Sequence, residues 1–272
     1  MTPAQINTLA DALIEAYDQR SMLRPITASE AEFDVPAAYA VLQEIERRRC
    51  ASGWRVVGRK IGFTNRTIWT RYGVNLPMWA HVFAHTVTNA RDSHARLHAA
   101  DFVQPRLEPE VVFGLRSSVP ADGDIRAALA AAEWIAPDFE IVQSHFPDWK
   151  FQAADCTAAF GLHGALIVGE HKLLDDALRE ELVELLPRFQ LTLSSSGEPV
   201  DRGVGANVLD SPAHALLHLA RVLAAQPFAP PLHAGELVTT GTITDAWPVR
   251  AGEAWSSDYG TLRLHGLQIE FE

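Results

Sequence analysis

RLEPEVVFGL, residues 106–115, combines an apolar strand pattern with two carboxylates. In a β-strand, residues two apart point to the same face, so Glu108 and Glu110 stand side by side. On a solvent-exposed strand face, two such carboxylates need no neutralising partner. The apolar run 111–113 that follows is instead typical of a buried strand, where like charges require compensation. A divalent cation such as Mg²⁺ or Mn²⁺ would supply it, because both prefer oxygen ligands.

A third carboxylate occurs in a second apolar strand, APDFEIVQSH, residues 136–145. Glu140 stands there between Phe139 and Ile141, where an unpaired charge is costly. Taken alone it would be read as a surface residue or an ion-pair partner. Together with the first two it predicts a site of three carboxylates, on the condition that the two strands are neighbours, which the sequence pattern leaves open.

The order of the remaining elements predicts an α+β fold. Two helices come first, one capped by Thr2 before Pro3 and one that runs from Asp34 to a stop at Gly53, so residues 1–55 form an N-terminal helical region. From residue 54 onward, short apolar runs rich in β-branched residues predict strands and hairpins. Three further helices are predicted over 124–135, 173–186 and 211–226. Grouped helices followed by strands favour a mixed, largely antiparallel sheet over 56–272.

Composition limits the class of protein and its partners. Of 272 residues, 47% are hydrophobic, which is enough for a large core, and 23 basic against 34 acidic residues give a net charge of −11. Binding along a phosphate backbone would meet repulsion, so nucleic acid is excluded as an expected partner. No apolar run of transmembrane length and no apolar signal-peptide centre occurs, and Cys50 and Cys156 have no zinc spacing. We therefore expect a cytoplasmic protein that does not bind membranes.

Two further residues qualify as catalytic groups from their surroundings. Lys60 lies in GRKIGFT between Gly58 and Gly62, where it could approach an oxyanion as a cation or, with a lowered pKa, shuttle a proton, although an isolated Lys is ordinarily a surface residue. Among eleven histidines, most of them expected to be structural or exposed, His163 in FGLHG is the best candidate for an acid or base.

The motifs, in their order along the chain, resemble the 2-keto-4-pentenoate hydratase and 4-oxalocrotonate decarboxylase family, a part of the fumarylacetoacetate hydrolase superfamily. The segments that carry the resemblance are GRKIGFTNRT (58–67), YGVNLPMWAHVF (72–83), RLEPEVVFGL (106–115), FEIVQSHFPDWKFQAADCTAAFGLHGALIVG (139–169), GVGANVLDSPAHALLHLARVLA (203–224) and LHAGELVTTGTITDAWPVRAGEAWSSDYGTLRLHGLQIEF (232–271). The resemblance covers nearly the whole chain. It implies that 56–272 is a fumarylacetoacetate-hydrolase-like catalytic domain.

The resemblance also implies a metal and a substrate class. In the family the ExE pair and the later Glu bind Mg²⁺ or Mn²⁺, and these positions correspond to Glu108, Glu110 and Glu140. The substrates are small 2-oxo or 2-hydroxydienoic acids from the breakdown of aromatic compounds. A 2-oxo acid chelates a divalent ion through its carboxylate and keto oxygens, and the ion stabilises the enolate formed when a neighbouring bond is made or broken.

Further site residues follow from the same resemblance. Lys60 belongs to the active site, Lys150 and Asp155 in DWKFQAAD lie near the path of the substrate, and Thr242 after VTTG lies close to the substrate carboxylate. Lys150 could also be no more than an ion-pair partner at the entrance of a strand.

The chain departs from the family pattern at two places. Met78 and Trp79 stand where the hydratases usually have Pro-Asp-Phe-Gly, and an apolar Met cannot activate a nucleophile. Residues 159–162, Ala-Phe-Gly-Leu, replace an Asp-Asn-Ala-Ser sequence. Together with Trp69, these changes predict a substrate pocket that is more apolar than in familiar members, with Met78 and Trp79 in contact with the substrate.

Several functions remain open at this stage. Hydration of a 2-hydroxydienoate is the first, and decarboxylation of a 4-oxalocrotonate-type substrate is favoured by Met78. Hydrolysis of an acylpyruvate would use the same metal and enolate. A further alternative is not enzymatic: the protein could be a noncatalytic subunit that supports a partner enzyme. We expect a homo-oligomer, with association with another enzyme of the pathway as a further option.

Overall fold

A computed structural model describes residues 1–66, 69–72, 74 and 76–272. Three positions in the motifs quoted above, Thr67, Gly73 and Asn75, lie outside the described residues. All ten residues that the sequence predicts for the functional site lie within them.

The α-helices begin with the two that the capping signals predict. They are α1 (Pro3–Gln19), α2 (Val35–Ala51), α3 (Trp69–Tyr72), α4 (Ile125–Ala131), α5 (Ala153–Ala158), α6 (Asp176–Leu185) and α7 (Pro212–Ala225). Thr2 caps α1 in a reciprocal capping box with Gln5, and Asp34 accepts a hydrogen bond from the Ala37 amide at the start of α2. The sequence therefore locates both N-terminal helices correctly.

The strands alternate with these helices along the rest of the chain. They are β1 (Val56–Gly62), β2 (Met78–Phe83), β3 (Val87–Asn89), β4 (His94–Leu97), β5 (Arg106–Leu115), β6 (Ala132–Val142), β7 (His163–Val168), β8 (Lys172–Leu173), β9 (Gln190–Ser195), β10 (Glu198–Val204), β11 (Leu237–Thr239), β12 (Trp247–Pro248), β13 (Ala254–Asp258) and β14 (Gln268–Phe271).

In the described part of the chain these strands form two mixed sheets. The larger sheet has nine strands in the order β2-β1-β11-β5-β6-β7-β3, with β12 paired to β5 and β8 to β6, and the smaller has the order β10-β9-β13-β14-β4. Most pairs are antiparallel, and the parallel ones are β1 with β11, β3 with β7 and β14 with β4. The predicted fold class, α+β with a mixed and largely antiparallel sheet, is confirmed.

The helix predicted over 124–135 is wrong in its last four residues, 132–135. The helix ends at Ala131, and Ala132 has the extended backbone that begins β6. Ile135 pairs with Phe113 of β5 in a long antiparallel ladder. The alanine-rich sequence favours a helix locally, but burial of Ile135 between the two strands contributes more than local propensity.

The N-terminal helices share a core with the rest of the chain. Leu13 of α1 and Ile45 of α2 pack in one buried cluster with Phe83, Phe146 and Phe160. The division into a helical region 1–55 and a domain 56–272 therefore stays a prediction. None of the helices in the described ranges combines the length and the apolar character needed to cross a membrane.

Candidate metal centre and substrate cavity

The register between β5 and β6 brings the predicted carboxylates together. Glu108 pairs directly with Glu140 across the antiparallel ladder, and Glu110 pairs with Asp138. Since residues two apart share a face, all four carboxylates lie on the same side of the sheet. One carboxylate oxygen from each of Glu108, Glu110 and Glu140 lies within 4.8 Å of the others.

The turn that follows β11 holds the carboxylate of Glu110. Its Oε2 accepts hydrogen bonds from the Thr239 hydroxyl and, at 2.7 Å, from the Gly241 amide. Its Oε1 is buried and has no hydrogen-bond donor among the described residues. These contacts therefore fix one oxygen of Glu110 and leave the other without a donor among the described residues.

Glu140 is held by a cation on one side and an imidazole on the other. The Lys60 ammonium lies 2.8 Å from Oε2, and His163 Nδ1 lies 2.7 Å from Oε1. The other ring nitrogen of His163, Nε2, lies 2.8 Å from the Thr86 hydroxyl. All four side chains are buried, so the orientation of Glu140 is set from both sides.

The electrostatics of the cluster follow from burial and mutual repulsion. Burial raises the pKa of Glu108 to about 7, with Glu140 adding to the rise and Lys60 opposing it. Burial together with the neighbouring carboxylates raises the pKa of Glu110 and of Asp138 well above their ordinary values. Although burial alone would raise it, the pKa of Glu140 lies below its usual range because Lys60 and His163 stabilise the anion.

Lys60 remains a cation in this environment. Burial by itself would lower its pKa, but attraction by Glu140, Glu108 and Glu110 outweighs burial and raises it. Of the two roles that the sequence allows, an ammonium that approaches an oxyanion agrees with this direction, whereas a proton shuttle with a lowered pKa does not.

A divalent cation fits the residues present. Three buried carboxylates and the partly buried Glu108 exceed what the single charge of Lys60 can neutralise, and Oε1 of Glu110 has no hydrogen-bond donor among the described residues. The donors are all carboxylate oxygens, as hard cations require. Glu108, Glu110 and Glu140 could therefore hold a metal ion.

The sequence reasoning missed three residues of this centre. Asp138 repeats the spacing of the ExE pair, because it stands two residues before Glu140 and so shares its face. That signal was available in the DFE motif. Thr239 and Gly241, which anchor Glu110, had no such signal, because the pairing of β11 with β5 brings them there.

A cavity of about 30 Å³ opens beside the carboxylates. Lys60 and Glu108 are the charged residues among its described lining, and the other walls are mostly apolar, formed by Gly62, Phe63, Met78, Val142, Trp149, Phe151, Gly161, Leu162 and Ala246. A Cβ on Gly161 would lie 2.6 Å from the Ala80 Cβ and 3.4 Å from Lys60 Cδ, so this glycine allows the 160–162 turn to close over Lys60. That the pocket is more apolar than in familiar members stays a prediction.

Besides His163, which contacts Glu140, four predicted site residues lie outside both the carboxylate cluster and the described lining of this cavity. Lys150 is 81% exposed and contacts Asp148 at 3.3 Å. Asp155 is buried, and its carboxylate accepts hydrogen bonds from the amide and the hydroxyl of Thr27 and from the Gln152 amide. It ties the N-terminal segment to α5. Catalytic roles for Lys150 and Asp155 stay predictions.

The other two, Thr242 and Trp79, are buried and bonded within the protein. The Thr242 hydroxyl donates to the Thr244 carbonyl at 3.0 Å. Trp79 stacks on Tyr39, with ring centroids 5.4 Å apart, and its Nε1 donates to Gln226 at 2.8 Å. It thus lies behind the cavity walls, whereas Met78 on the opposite face of β2 lines the cavity directly.

Comparison with known proteins identifies several relatives. A 2-hydroxyhexa-2,4-dienoate hydratase of Comamonas testosteroni is 33% identical over 249 residues, covering 91% of each chain. A 2-hydroxypent-2,4-dienoate hydratase of Pseudomonas putida is 32% identical over 224 residues, covering 82% of this chain and 97% of that one. Family models give no match.

Among solved structures, 4-oxalocrotonate decarboxylase from Pseudomonas putida G7, complexed with magnesium and adipate, superposes over the whole chain. The TM-score is 0.89 at 25% identity, with 100% of this chain and 99% of that chain covered. Similarity of this extent places both chains on one fold, including the N-terminal helices.

Proposed function

The chain belongs to the 2-keto-4-pentenoate hydratase and 4-oxalocrotonate decarboxylase family, and from this membership we propose that it is a divalent-metal-dependent lyase that hydrates a 2-hydroxy-2,4-dienoate in the catabolism of aromatic compounds. The observation that carries the proposal is the convergence of Glu108, Glu110 and Glu140 beside Lys60, at a cavity that Lys60 and Glu108 line.

We propose that Glu108, Glu110 and Glu140 hold the metal, with Mg²⁺ as the resident ion and Mn²⁺ as a substitute. Both ions take carboxylate oxygens, and the decarboxylase neighbour was solved with magnesium. When bound, such a cation would orient the carboxylate and keto oxygens of a 2-oxo acid and stabilise negative charge on the enolate.

The protein's own residues supply the rest of the proposed site. Lys60 points an ammonium at the cavity from a position fixed by Glu140, so it is placed to stabilise an oxyanion on the substrate. His163 and Thr86 keep the carboxylate of Glu140 in one orientation. Phe63, Met78 and Leu162 exclude bulk water, which strengthens these charge interactions.

Decarboxylation is the second candidate, and the apolar wall around Lys60 favours it. The family resemblance places Met78 where the hydratases usually have an acidic residue, and Glu108 is the carboxylate among the described lining residues. Glu108 is also a proposed metal ligand. If this protein catalyses hydration, the reacting water molecule would therefore have to be positioned by groups other than the usual acidic side chain.

A single assay separates these reactions. Metal-stripped protein is incubated with Mg²⁺ or Mn²⁺ and either 2-hydroxypenta-2,4-dienoate or 2-hydroxymuconate, while dienol absorbance and CO₂ release are followed. Loss of absorbance with formation of a 4-hydroxy-2-oxo acid supports hydration, and CO₂ release supports decarboxylation. Pyruvate release from an acylpyruvate would indicate hydrolysis.

Glu110→Gln and Glu133→Gln form a matched pair for this assay. Both lie in the β5–β6 ladder, but Glu133 is exposed at the start of β6. Glu110→Gln should abolish metal-dependent turnover, and Glu133→Gln should retain it. Absence of turnover with every substrate, despite metal binding measured by calorimetry, would contradict an enzymatic role and favour a supporting subunit.

We further propose that the protein acts in the cytoplasm as a homo-oligomer. Cys50 and Cys156 are free thiols, as a reducing compartment favours. Fractionation of the native host and sedimentation of the purified protein test these two statements, and a monomer at micromolar concentration would contradict the second.

A further inference from the structure

A second cavity, larger than the catalytic one, lies on the other side of Met78. Its volume is about 200 Å³, and its described lining comprises Val35, Tyr39, Phe63, Leu76, Pro77, Met78, Ala153, Thr157, His218, Val222 and Gln226. The rim is apolar as well, because Leu76 is 67% exposed and Phe228, whose ring centroid lies 6.0 Å from that of Tyr39, is 41% exposed. Large apolar side chains at a cavity mouth indicate a binding site.

This cavity adjoins the catalytic cavity through shared walls. Phe63 and Met78 line both spaces. The Met78 sulfur contacts Thr157 on the side of the larger cavity, at 3.3 Å from its hydroxyl. A Cβ on Gly62 or Gly161, which line the catalytic cavity, would lie 3.5 or 3.7 Å from the Met78 methyl group. A flexible thioether therefore separates the two spaces and can move without breaking a backbone hydrogen bond.

The chemistry of the larger cavity selects an uncharged occupant. None of its described lining residues carries a formal charge at neutral pH. The one titratable imidazole, His218, has a pKa lowered by burial, with Arg221 and Arg66 contributing. A carboxylate placed there would lose its hydration without gaining a cationic partner among these residues. Its size also suits an apolar group, because an engineered apolar cavity of about 150 Å³ binds benzene.

We propose that this cavity binds the distal end of the substrate, so that the preferred 2-hydroxy-2,4-dienoate carries an uncharged alkyl or aryl tail rather than a second carboxylate. The inference rests on the proposed function for the head of the substrate. Val222 of α7 is then a specificity-determining residue, because it contributes to the wall that the tail would contact.

The test compares three dienoates that share the metal-binding head: 2-hydroxypenta-2,4-dienoate without a tail, 2-hydroxy-6-phenylhexa-2,4-dienoate with an aryl tail, and 2-hydroxymuconate with a terminal carboxylate. For the wild type, kcat/KM for the aryl substrate should exceed that for 2-hydroxymuconate by at least about tenfold, as differences of a few apolar carbons produce. V222W fills the cavity and should lower the ratio of aryl to tailless kcat/KM at least about tenfold, mainly through KM.

Ala224→Trp is the matched control, because Ala224 is exposed on the same helix and lies outside the cavity lining. Ala224→Trp should leave kcat/KM for the aryl and the tailless substrates unchanged. Val222→Arg tests the charge argument, since it should raise turnover of 2-hydroxymuconate relative to the aryl substrate. Equal selectivity in the wild type, V222W and A224W would overturn the proposal, as would a wild-type preference for 2-hydroxymuconate.

A direct binding measurement separates this inference from the proposed function. The probe for calorimetry is 4-phenylbutan-1-ol, which has the aryl tail of the substrate but no metal-binding head. Binding to the wild type and A224W but not to V222W supports the cavity even if every dienoate is left unreacted, in which case the proposed function alone fails. Absence of binding to the wild type, together with no preference for the aryl substrate, refutes the cavity assignment and leaves the metal centre unaffected.

Discussion

Replacing Glu108 by Gln should stabilise the metal-free protein while it removes a proposed metal ligand. In the folded chain the pKa of Glu108 rises from 4.5 to about 7, chiefly through burial. A raised carboxyl pKa means that the folded state holds its proton more tightly than the unfolded state, so stability falls as pH rises from about 4.5 to about 7. The shift corresponds to roughly 3 kcal/mol at pH 8, because one pKa unit is about 1.4 kcal/mol.

The assay is urea unfolding of EDTA-treated wild type and Glu108→Gln at pH 5 and pH 8. Gln keeps the shape of the side chain and has no charge to lose. The advantage of the variant over the wild type should therefore grow by roughly 2–3 kcal/mol between pH 5 and pH 8. Excess Mg²⁺ should reverse the order at pH 8, because ligand binding stabilises the wild type alone. Glu133 is exposed in β6, so Glu133→Gln should have the same unfolding free energy as the wild type in every condition.

Two results would refute this reasoning. The first is a difference between the unfolding free energies of wild type and Glu108→Gln that is the same at both pH values. That result would show that ionisation of Glu108 does not destabilise the folded protein. Equal stabilisation of both proteins by Mg²⁺ would remove Glu108 from the metal site.

The remaining predictions concern the side chains around Glu140 and the turn above Lys60. Lys60→Met should lower kcat at saturating Mg²⁺ by roughly 100-fold or more, as loss of one oxyanion donor does, and steady-state kinetics measure this. It should also destabilise the metal-free protein by about 3–5 kcal/mol, because buried Glu140 loses its cation, and unchanged urea unfolding would contradict that pairing. His163→Ala should weaken Mg²⁺ binding about 10- to 100-fold by calorimetry, and unaltered affinity would show that the imidazole does not orient Glu140. Gly161→Ala should cost about 1–3 kcal/mol of unfolding free energy, because the residue has φ +61° and the new Cβ would lie 2.6 Å from that of Ala80. A neutral effect on unfolding would contradict the tight packing of this turn.

Glu140 differs from its two partners in what its removal should do. Three like charges in one site suggest that loss of any one of them relieves repulsion and stabilises the metal-free protein. The structure places Glu140 between Lys60 and His163, which lower its pKa. Relief is therefore expected for Glu108 and Glu110, whose pKa values are raised, but not for Glu140.

Local sequence patterns were enough to locate β5 and the face on which its carboxylates lie. The quoted stretch 106–115 is β5 from end to end. The alternation of side chains in a strand has a fixed period of two, so the shared face of Glu108 and Glu110 follows from spacing alone. The caps at Thr2 and Asp34 located two helices for the same reason, because a cap acts within one helical turn.

Long-range packing, by contrast, sets which strands are neighbours, in which register they pair, and which residues close the cavities. Glu108 faces Glu140 in the β5–β6 register that also buries Phe113 and Ile135, and a slip of β6 by one residue would turn Glu140 to the face opposite Glu108. The same long-range burial converts 132–135 from predicted helix to strand and brings Val222 of α7 to Met78. Local patterns fix periodicity and faces, whereas pairing depends on apolar surface contributed by distant segments.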